Sequence, residues 1–393
     1  MNDQLFQQLQ TFRGELNQCF LEREDIIDGV LASLVTQQNC FLFGAPGTGK
    51  SELVRAVSQG FTDSKFFSYL LSPTTDPSEL YGPVAVSKLL EDEYTRDVKG
   101  YLPDSNVAFL DELFRGSSAV LNSLLQLLNE RTFNNGKDLI STDIQSIVAA
   151  TNSFPTEESL QAFCDRFLFR PTVEGLKGSA NKNKLYSWAL EDTRPKVNNT
   201  MTMEDLKSLQ QSAKEVSVNQ NFIETFSQCM NMLESRGITV SDRRKVQILK
   251  FLRGWAVVKG GDTLRPDYLH ATLPHIVYQT SEDIPIIKEV LDQCVPTADT
   301  YFGDLQKAAN GIMREFKQMK ERQQTNVSDA SNYVEKLKRS LNDLKLLSQS
   351  ANKAIDEETM SFTPAMRLKA TKVCSELSTH IDTVSRAIST YLR

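Results

Sequence analysis

The chain has 393 residues, 40% of them hydrophobic and 24% charged, and a formal net charge of −6. That length accommodates roughly two to three domains with real cores, and the mildly acidic balance offers no basic footprint for nonspecific nucleic-acid binding. No apolar run is long enough to span a bilayer, and the N-terminus lacks the basic and apolar regions of a signal peptide. The six cysteines are scattered without a C-x-x-C, which argues against a zinc site or a disulfide framework and for a cytoplasmic protein. His270 and His275 are five apart, a poor spacing for a shared metal on one helix face.

Residues 1–40 read as helix, with Leu16, Phe20, Ile26, Ile27, Val30, Leu31 and Leu34 giving an approximate stripe. The stretch Phe41-Leu-Phe-Gly-Ala-Pro-Gly-Thr-Gly-Lys-Ser51 then fits G-x-x-x-x-G-K-[ST] at the end of an apolar strand. A loop of Gly44, Ala45, Pro46, Gly47, Thr48 and Gly49 turns sharply enough to aim consecutive backbone N–H groups at a phosphate. Lys50 is placed for the β- and γ-phosphates and the Ser51 hydroxyl for Mg²⁺. The helix opening at Glu52 adds its N-terminal dipole to the same anion site. This spacing predicts a loop that binds ATP or a related nucleotide.

A short strand is expected at Phe66–Leu71. Residues 72–103 are rich in turn residues at both ends, and Val84–Leu90 and Tyr94–Val98 suit a hairpin across Glu91-Asp-Glu93. Val107–Leu110 reads as a buried strand and Ser118–Glu130 as a helix with Leu121, Leu124, Leu125 and Leu128 on one face. Asn134-Asn-Gly136 signals a hairpin between Arg131–Phe133 and Leu139-Ile140, and Ile147–Ala150 is another buried strand. Short apolar strands alternating with helices predict an α/β fold, a parallel sheet with helices on both faces.

The strands stop after about residue 175. Residues 176–200 read as a linker with some helix, and Met203 to about Thr280 as a small α-domain. In the last hundred residues three series recur at near-3.5 spacing: Leu305, Ala309, Ile312, Phe316 and Met319; Val334, Leu337, Leu341 and Leu344; Met366, Ala370, Val373, Leu377, Ile381, Val384 and Ile388. Breaks are expected at Glu321–Asn326 and Ser361–Pro364, with Thr363 as N-cap and Pro364 at the first helical position. Three long helices imply an antiparallel bundle, with an extended oligomeric coiled coil as the alternative. The resulting division is 1–175 as the α/β core, 176–282 as helical lid with linker, and 283–393 as a C-terminal helical bundle.

The acids that complete a hydrolytic site come directly after the strand Val107–Leu110. Asp111 is placed to hold Mg²⁺ and Glu112 to activate water for attack on the γ-phosphorus. Asn152 ends the next strand, on the carboxyl edge where open α/β sheets bind ligands, and suits a hold on the attacking water or a γ-phosphate oxygen. Asp165-Arg166-Phe167 carries the first choice for a cation supplied in trans to a neighbouring subunit's phosphates, with Arg131 and Arg170 as competitors. Ser241-Asp-Arg-Arg244 opens a helix that can sense the phosphates, with Arg243 preferred over Arg244.

The nucleotide loop, the Asp-Glu acids, Thr-Asn, Asp-Arg-Phe and the Ser-Asp-Arg-Arg helix, in this order, resemble an AAA+ ATPase. Glu79-Leu-Tyr-Gly-Pro83, Gly100-Tyr-Leu-Pro103 and the block Leu121 to Gly136 resemble the MoxR branch, and within it the RavA-type proteins, over roughly residues 10–280. The resemblance implies a homo-hexameric ring with ATP sites between subunits, an α-helical lid, and insertions at about 84–98 and 132–147. It further implies a chaperone-like motor that acts on a protein client with a von Willebrand factor A partner; this chain lacks the D-x-S-x-S loop of such a partner, so it must be a separate polypeptide. The C-terminal region has the bundle pattern of RavA-like proteins but no segment with the alternation of their inserted β-rich domain. The competing readings are a ring motor acting on nucleic acid, which the acidic balance disfavours, and a nucleotide-gated assembly scaffold, which the full set of catalytic groups disfavours.

Overall fold

The computed structural model describes residues 3–152, 160, 163–295, 297–325, 330–356 and 364–391. They form two compact units, the first from the chain up to residue 264 with 271–287, the second from 265–270 with the chain from 288 onward. In the first unit the expected N-terminal helix is two helices, α1 (Asp3–Cys19) and α2 (Glu24–Val35). Glu22 breaks them apart in the left-handed region, at φ 57°. Leu5, Leu9, Phe12 and Leu16 recur at steps of four and three and are buried, as an amphipathic stripe requires.

Four strands, β1 (Cys40–Phe43), β2 (Phe66–Leu70), β3 (Val107–Asp111) and β6 (Ser146–Thr151), form a parallel sheet in the order β1-β6-β3-β2. Cys40 pairs with Val148, Val107 with Ser146 and Phe66 with Val107. β1 and β6 are buried along their whole length, the continuous apolar signature of strands covered on both faces. Phe169 and Thr172 bridge the free edge of β1 in parallel. Helix α3 (Lys50–Gln59) comes after the β1 loop, and α4 (Ser118–Glu130) starts at Ser117, whose hydroxyl accepts from the Val120 amide.

The Asn-Asn-Gly hairpin forms as its turn chemistry predicts, β4 (Thr132–Asn135) against β5 (Asp138–Ser141), with Phe133 opposite Ile140. Residues 84–98 do not form the expected two-stranded hairpin. One antiparallel bridge joins Val84 to Arg96, and between them Val86–Leu89 makes a helical turn. The Ala85 carbonyl accepts from the Leu89 amide and Lys88 pairs with Glu91 and Glu93, local bonds that a segment without period-two alternation prefers. The two insertions touch: Asn135 bonds both the amide and the carbonyl of Arg96. A side chain at Gly136, φ +68°, would lie 2.1 Å from the Tyr94 carbonyl oxygen, so the turn requires glycine for its approach as well as its backbone.

Beyond the sheet come α5 (Ser179–Glu191), α6 (Met203–Glu215), α7 (Gln220–Ser235) and α8 (Asp242–Lys259). Thr202, Asn219 and Ser241 cap the last three with side-chain oxygens. Helix α8 packs on α2 and α6. Between α8 and the N-terminal helices the fully buried Asp28 carboxylate takes Arg13 bidentately and Lys259 at 2.5 Å.

The second unit contains α9 (Ala298–Thr325), α10 (Ala330–Asp356) and α11 (Pro364–Tyr391). Phe302, Leu305, Phe316, Leu337, Leu377 and Val384 meet in one core. Tyr301 near the start of α9 donates to the Ser350 carbonyl late in α10, whereas Asp299 and Gln306 pair with Lys369 and Glu376 of α11. The bundle therefore runs up, down and up, with the seams filled within one chain. Helix α9 continues through the expected break to Thr325, Pro364 opens α11, and Thr363 lies outside the described residues. Among the described residues of this unit there is no strand.

Candidate functional site

The strand order sets the site. β1, β6 and β3 are neighbours, so the residues at their carboxyl ends stand in a row: the glycine loop, Asn152, and Asp111 with Glu112. The loop closes on itself. Lys50 is buried and its ammonium donates to the Gly44 and Ala45 carbonyls at 2.7 and 3.0 Å, and the Thr48 hydroxyl donates to Ala45. Burial holds the Lys50 pKa below its ordinary value, opposed by the nearby Asp111 and Glu112 carboxylates. Anionic phosphates at the loop would reinforce that opposition and keep the ammonium charged. Gly44, at φ +151°, leaves no room for a side chain: a Cβ there would sit 2.2 Å from the Val173 carbonyl oxygen. Pro46 and Gly47 are exposed at the loop tip, and Ser51 is exposed in the first turn of α3.

Glu112 occupies a left-handed conformation, φ 52° and ψ 43°, immediately after β3. Such backbone is uncommon for a non-glycine residue and clusters at functional sites. One carboxylate oxygen accepts from the Asn152 amide at 2.5 Å and the other lies 3.5 Å from Arg115. The structure thus joins Glu112 to Asn152, residues forty apart in sequence, and adds Arg115, which sequence reasoning missed. The spacing of three residues from Glu112 was the available signal for it. Ser51 and Asp111 supply hard oxygen donors on the same edge, a set that suits Mg²⁺ with phosphate and water oxygens completing its shell. Among the described residues no cluster of three or more His, Cys, Asp or Glu could hold a metal.

Beside the loop lies a cavity of about 340 Å³ lined by Phe20, Gly47, Thr48, Glu52, Trp188 and Arg194 among others. Its strap, residues 175–200, is tied to the N-terminal helices by acids. Glu22 accepts from the Lys177 and Gly178 amides and the Asn181 side chain, and Glu15 from the Asn198 and Asn199 amides. Those bonds hold the exposed Glu22 carboxyl down at a pKa of about 2. Glu52 pairs with Arg194 at 2.5 Å, and that guanidinium lies over the Phe20 ring.

The arginines are elsewhere. Asn39 and Ser146 mark the amino ends of β1 and β6, the edge opposite the glycine loop, and there a cavity of about 270 Å³ is lined by Asn39, Arg131, Asp165, Arg166, Arg243 and Arg244 among others. Arg131 donates to the Gln37 carbonyl and to Asn39, and burial pulls its pKa down to about 10. Arg166 is part exposed and 3.9 Å from Asp165. Arg243 is exposed. Arg244 is buried against Asp165 at 2.6 Å and donates to the Leu168 and Ile276 carbonyls; burial, with Arg170 nearby, lowers its pKa to about 10. Arg170 is buried as well, bonded to the Ile276 and Tyr278 carbonyls and stacked on the Tyr278 ring. Arg166, Arg131 and Arg243 therefore share one cavity, while Arg170 and Arg244 are spent on internal bonds.

A parallel sheet with a glycine-rich loop leading into a helix, and with Asp111 and Glu112 on the same edge, defines the fold of the P-loop nucleoside triphosphatases. Residues 7–211 match the family model of the MoxR domain in MoxR-vWA-beta-propeller ternary systems, and residues 220–291 match an AAA lid domain. The chain belongs to the MoxR branch of the AAA+ ATPases. It is 34% identical over 289 residues to an uncharacterised protein of Methanocaldococcus jannaschii, spanning 73% of this chain and 74% of that one. A second uncharacterised protein of the same organism is 36% identical over 253 residues, 64% of this chain and 66% of the other. The crystal structure of a proposed ATPase from Cytophaga hutchinsonii superposes with a TM-score of 0.61 at 15% identity, covering 74% of this chain and 94% of that one. No helix among the described residues is long and apolar enough to cross a membrane.

Proposed function

We propose that this chain hydrolyses ATP at sites between the subunits of a homo-hexameric ring and uses the cycle to remodel a protein client, as a chaperone-like cytoplasmic motor. The observation that carries the reading is the row of Lys50, Asn152, Asp111 and Glu112 along one edge of adjacent parallel strands. Lys50 and the loop amides hold the β- and γ-phosphates, and Ser51 and Asp111 hold Mg²⁺, which when bound neutralises charge on the phosphate oxygens. Glu112 accepts the proton of the attacking water, and Asn152, now on Glu112, turns to the γ-phosphate or that water. Arg166 stands on the opposite edge from its own loop, which supports its action on a neighbour's nucleotide. The family description, which places such domains in systems with von Willebrand factor A proteins, supports a partner of that kind. Six cysteines with no disulfide between them among the described residues suit a reducing compartment.

The test is steady-state ATPase and nucleotide binding in paired variants. Lys50→Ala is expected to lose ATP binding. Glu112→Gln is expected to bind ATP as the parent does and to turn it over about 10²- to 10⁴-fold more slowly, the usual weight of a general base. Normal turnover by Glu112→Gln would refute the assignment of that acid.

A further inference from the structure

Asn39 is an uncharged residue just ahead of β1, buried to 3% exposure, and no sequence motif marks it. Every polar atom of its carboxamide is used. The oxygen accepts from the Arg131 guanidinium at 2.8 Å and from the Ile147 amide of β6 at 3.2 Å. The nitrogen donates to the Leu128 carbonyl at the end of α4 at 3.1 Å and to the Arg166 carbonyl at 3.4 Å. Its backbone carbonyl accepts from the Leu168 amide. One side chain thus fixes the guanidinium of one arginine and the main chain of another, and anchors both to the sheet.

The two arginines are unusual in a second way. Arg131 Nη1 and Arg166 Nε are buried donors without a hydrogen-bond partner among the described residues. Leaving such a donor unpaired is costly, more so for a charged group, and marks the pair as short of acceptors. Both residues line the 270 Å³ cavity, whose other cations include Arg243 and Lys250. The one carboxylate lining it, Asp165, is bonded to Arg244 at 2.6 Å and lies 3.9 Å from Arg166 Nη1. An anion is the ligand this arrangement lacks.

We propose that Asn39 is the positioning residue for a pair of arginines, Arg131 and Arg166, that act on the terminal phosphate of a nucleotide held by a second copy of this chain. The proposal rests on the reading of Arg166 as a trans-acting group and adds Arg131 as its partner and Asn39 as the clamp. Because Asn39 immediately precedes the strand that leads into the glycine loop, β1 joins the arginine pair of one interface to the glycine loop of the next. At roughly 3.3 Å per residue its four residues span about 13 Å.

The experiment compares assembled rings of Asn39→Ala, Asn39→Asp, Arg131→Ala and Arg166→Ala for ATP affinity, kcat and thermal midpoint, and mixes each with Lys50→Ala. Asn39→Ala is expected to keep its ATP KM within about threefold and to lose kcat by about tenfold or more, because the chemistry rather than the binding loop is affected. Adding it to Arg131→Ala should cost less than about twofold more, the non-additivity of residues acting as one unit. Mixed with Lys50→Ala, it should regain partial activity, since some interfaces then join an intact loop to an intact clamp. Asn39→Asp keeps the acceptor for Arg131 but sets a negative charge where phosphate must enter, so kcat should fall while the rings still assemble; this variant serves if the alanine form does not fold. Wild-type kcat in both Asn39 variants, a full additive loss on Arg131→Ala, or no recovery in proven mixed rings overturns the assignment of Asn39. If Arg131→Ala and Arg166→Ala themselves keep wild-type kcat, the trans reading fails first and this proposal falls with it.

Discussion

Removing the Asp28 carboxylate offers the sharpest test of what holds the first unit together. The side chain is fully buried and is shared by Arg13 of α1 and Lys259 of α8, whose side chains keep 21% and 28% exposure. Its hydrogen bond holds the Arg13 pKa above the ordinary arginine value. Breaking a buried pair by deleting one partner costs about 3–5 kcal/mol because a charge is left unpaired. Here the two cations can rehydrate in part, so Asp28→Ala should lie near the lower limit, about 3 kcal/mol. For a unit of this size that corresponds to a fall in Tm of roughly 5 °C. Chemical denaturation and calorimetry would read both numbers, and the double variant Asp28→Ala with Arg13→Met should recover part of the loss, since one stranded charge is gone. A loss below about 1 kcal/mol, the range of exposed ion pairs, would refute the view that this carboxylate clamps α1 to α8.

Gly44→Ala should abolish nucleotide binding by titration, since its Cβ would meet the Val173 carbonyl at 2.2 Å and displace the loop; binding at parental affinity would show that the loop can relax. The Glu22 carboxyl, depressed to about 2 from an ordinary value of 4.5, gives stability that is present above pH 4.5 and lost as pH falls through 2. Carboxyl NMR should place its midpoint near the lower value, and Glu22→Gln should loosen residues 177–181 to hydrogen exchange at neutral pH; a midpoint near 4.5 would deny the strap its anchor.

Much of the phosphate edge is legible in sequence because it is local. The glycine loop, Asp111-Glu112 and Asn152 each lie at the end of an apolar run, and an α/β pattern places the ends of such runs on one edge. The hairpin at Gly136 is legible for the same reason: two residues of turn chemistry set it. The arginines are not. Arg243 and Arg244 are adjacent in sequence, yet one is exposed and the other buried against Asp165, a difference set by the angle at which α8 meets the core. Arg170 reads like a free cation until Tyr278, over one hundred residues later, is found stacked on it. Asn39 carries no motif at all, since its importance comes from four partners on three separate segments. The turn at 86–89 was hidden because neither period is strong there, and local bonds decided it.

The bonds of Arg170 and Arg244 have a consequence for how this unit can move. Both reach the Ile276 carbonyl, and Arg170 and Tyr278 bond each other's main chain. Segment 165–171 and segment 275–278 are therefore welded, with α8 attached through Arg244. No hinge can open between them without breaking several charge-assisted bonds at once. Any rigid-body motion of these segments therefore carries Arg166 and Arg243 together as a single lever arm.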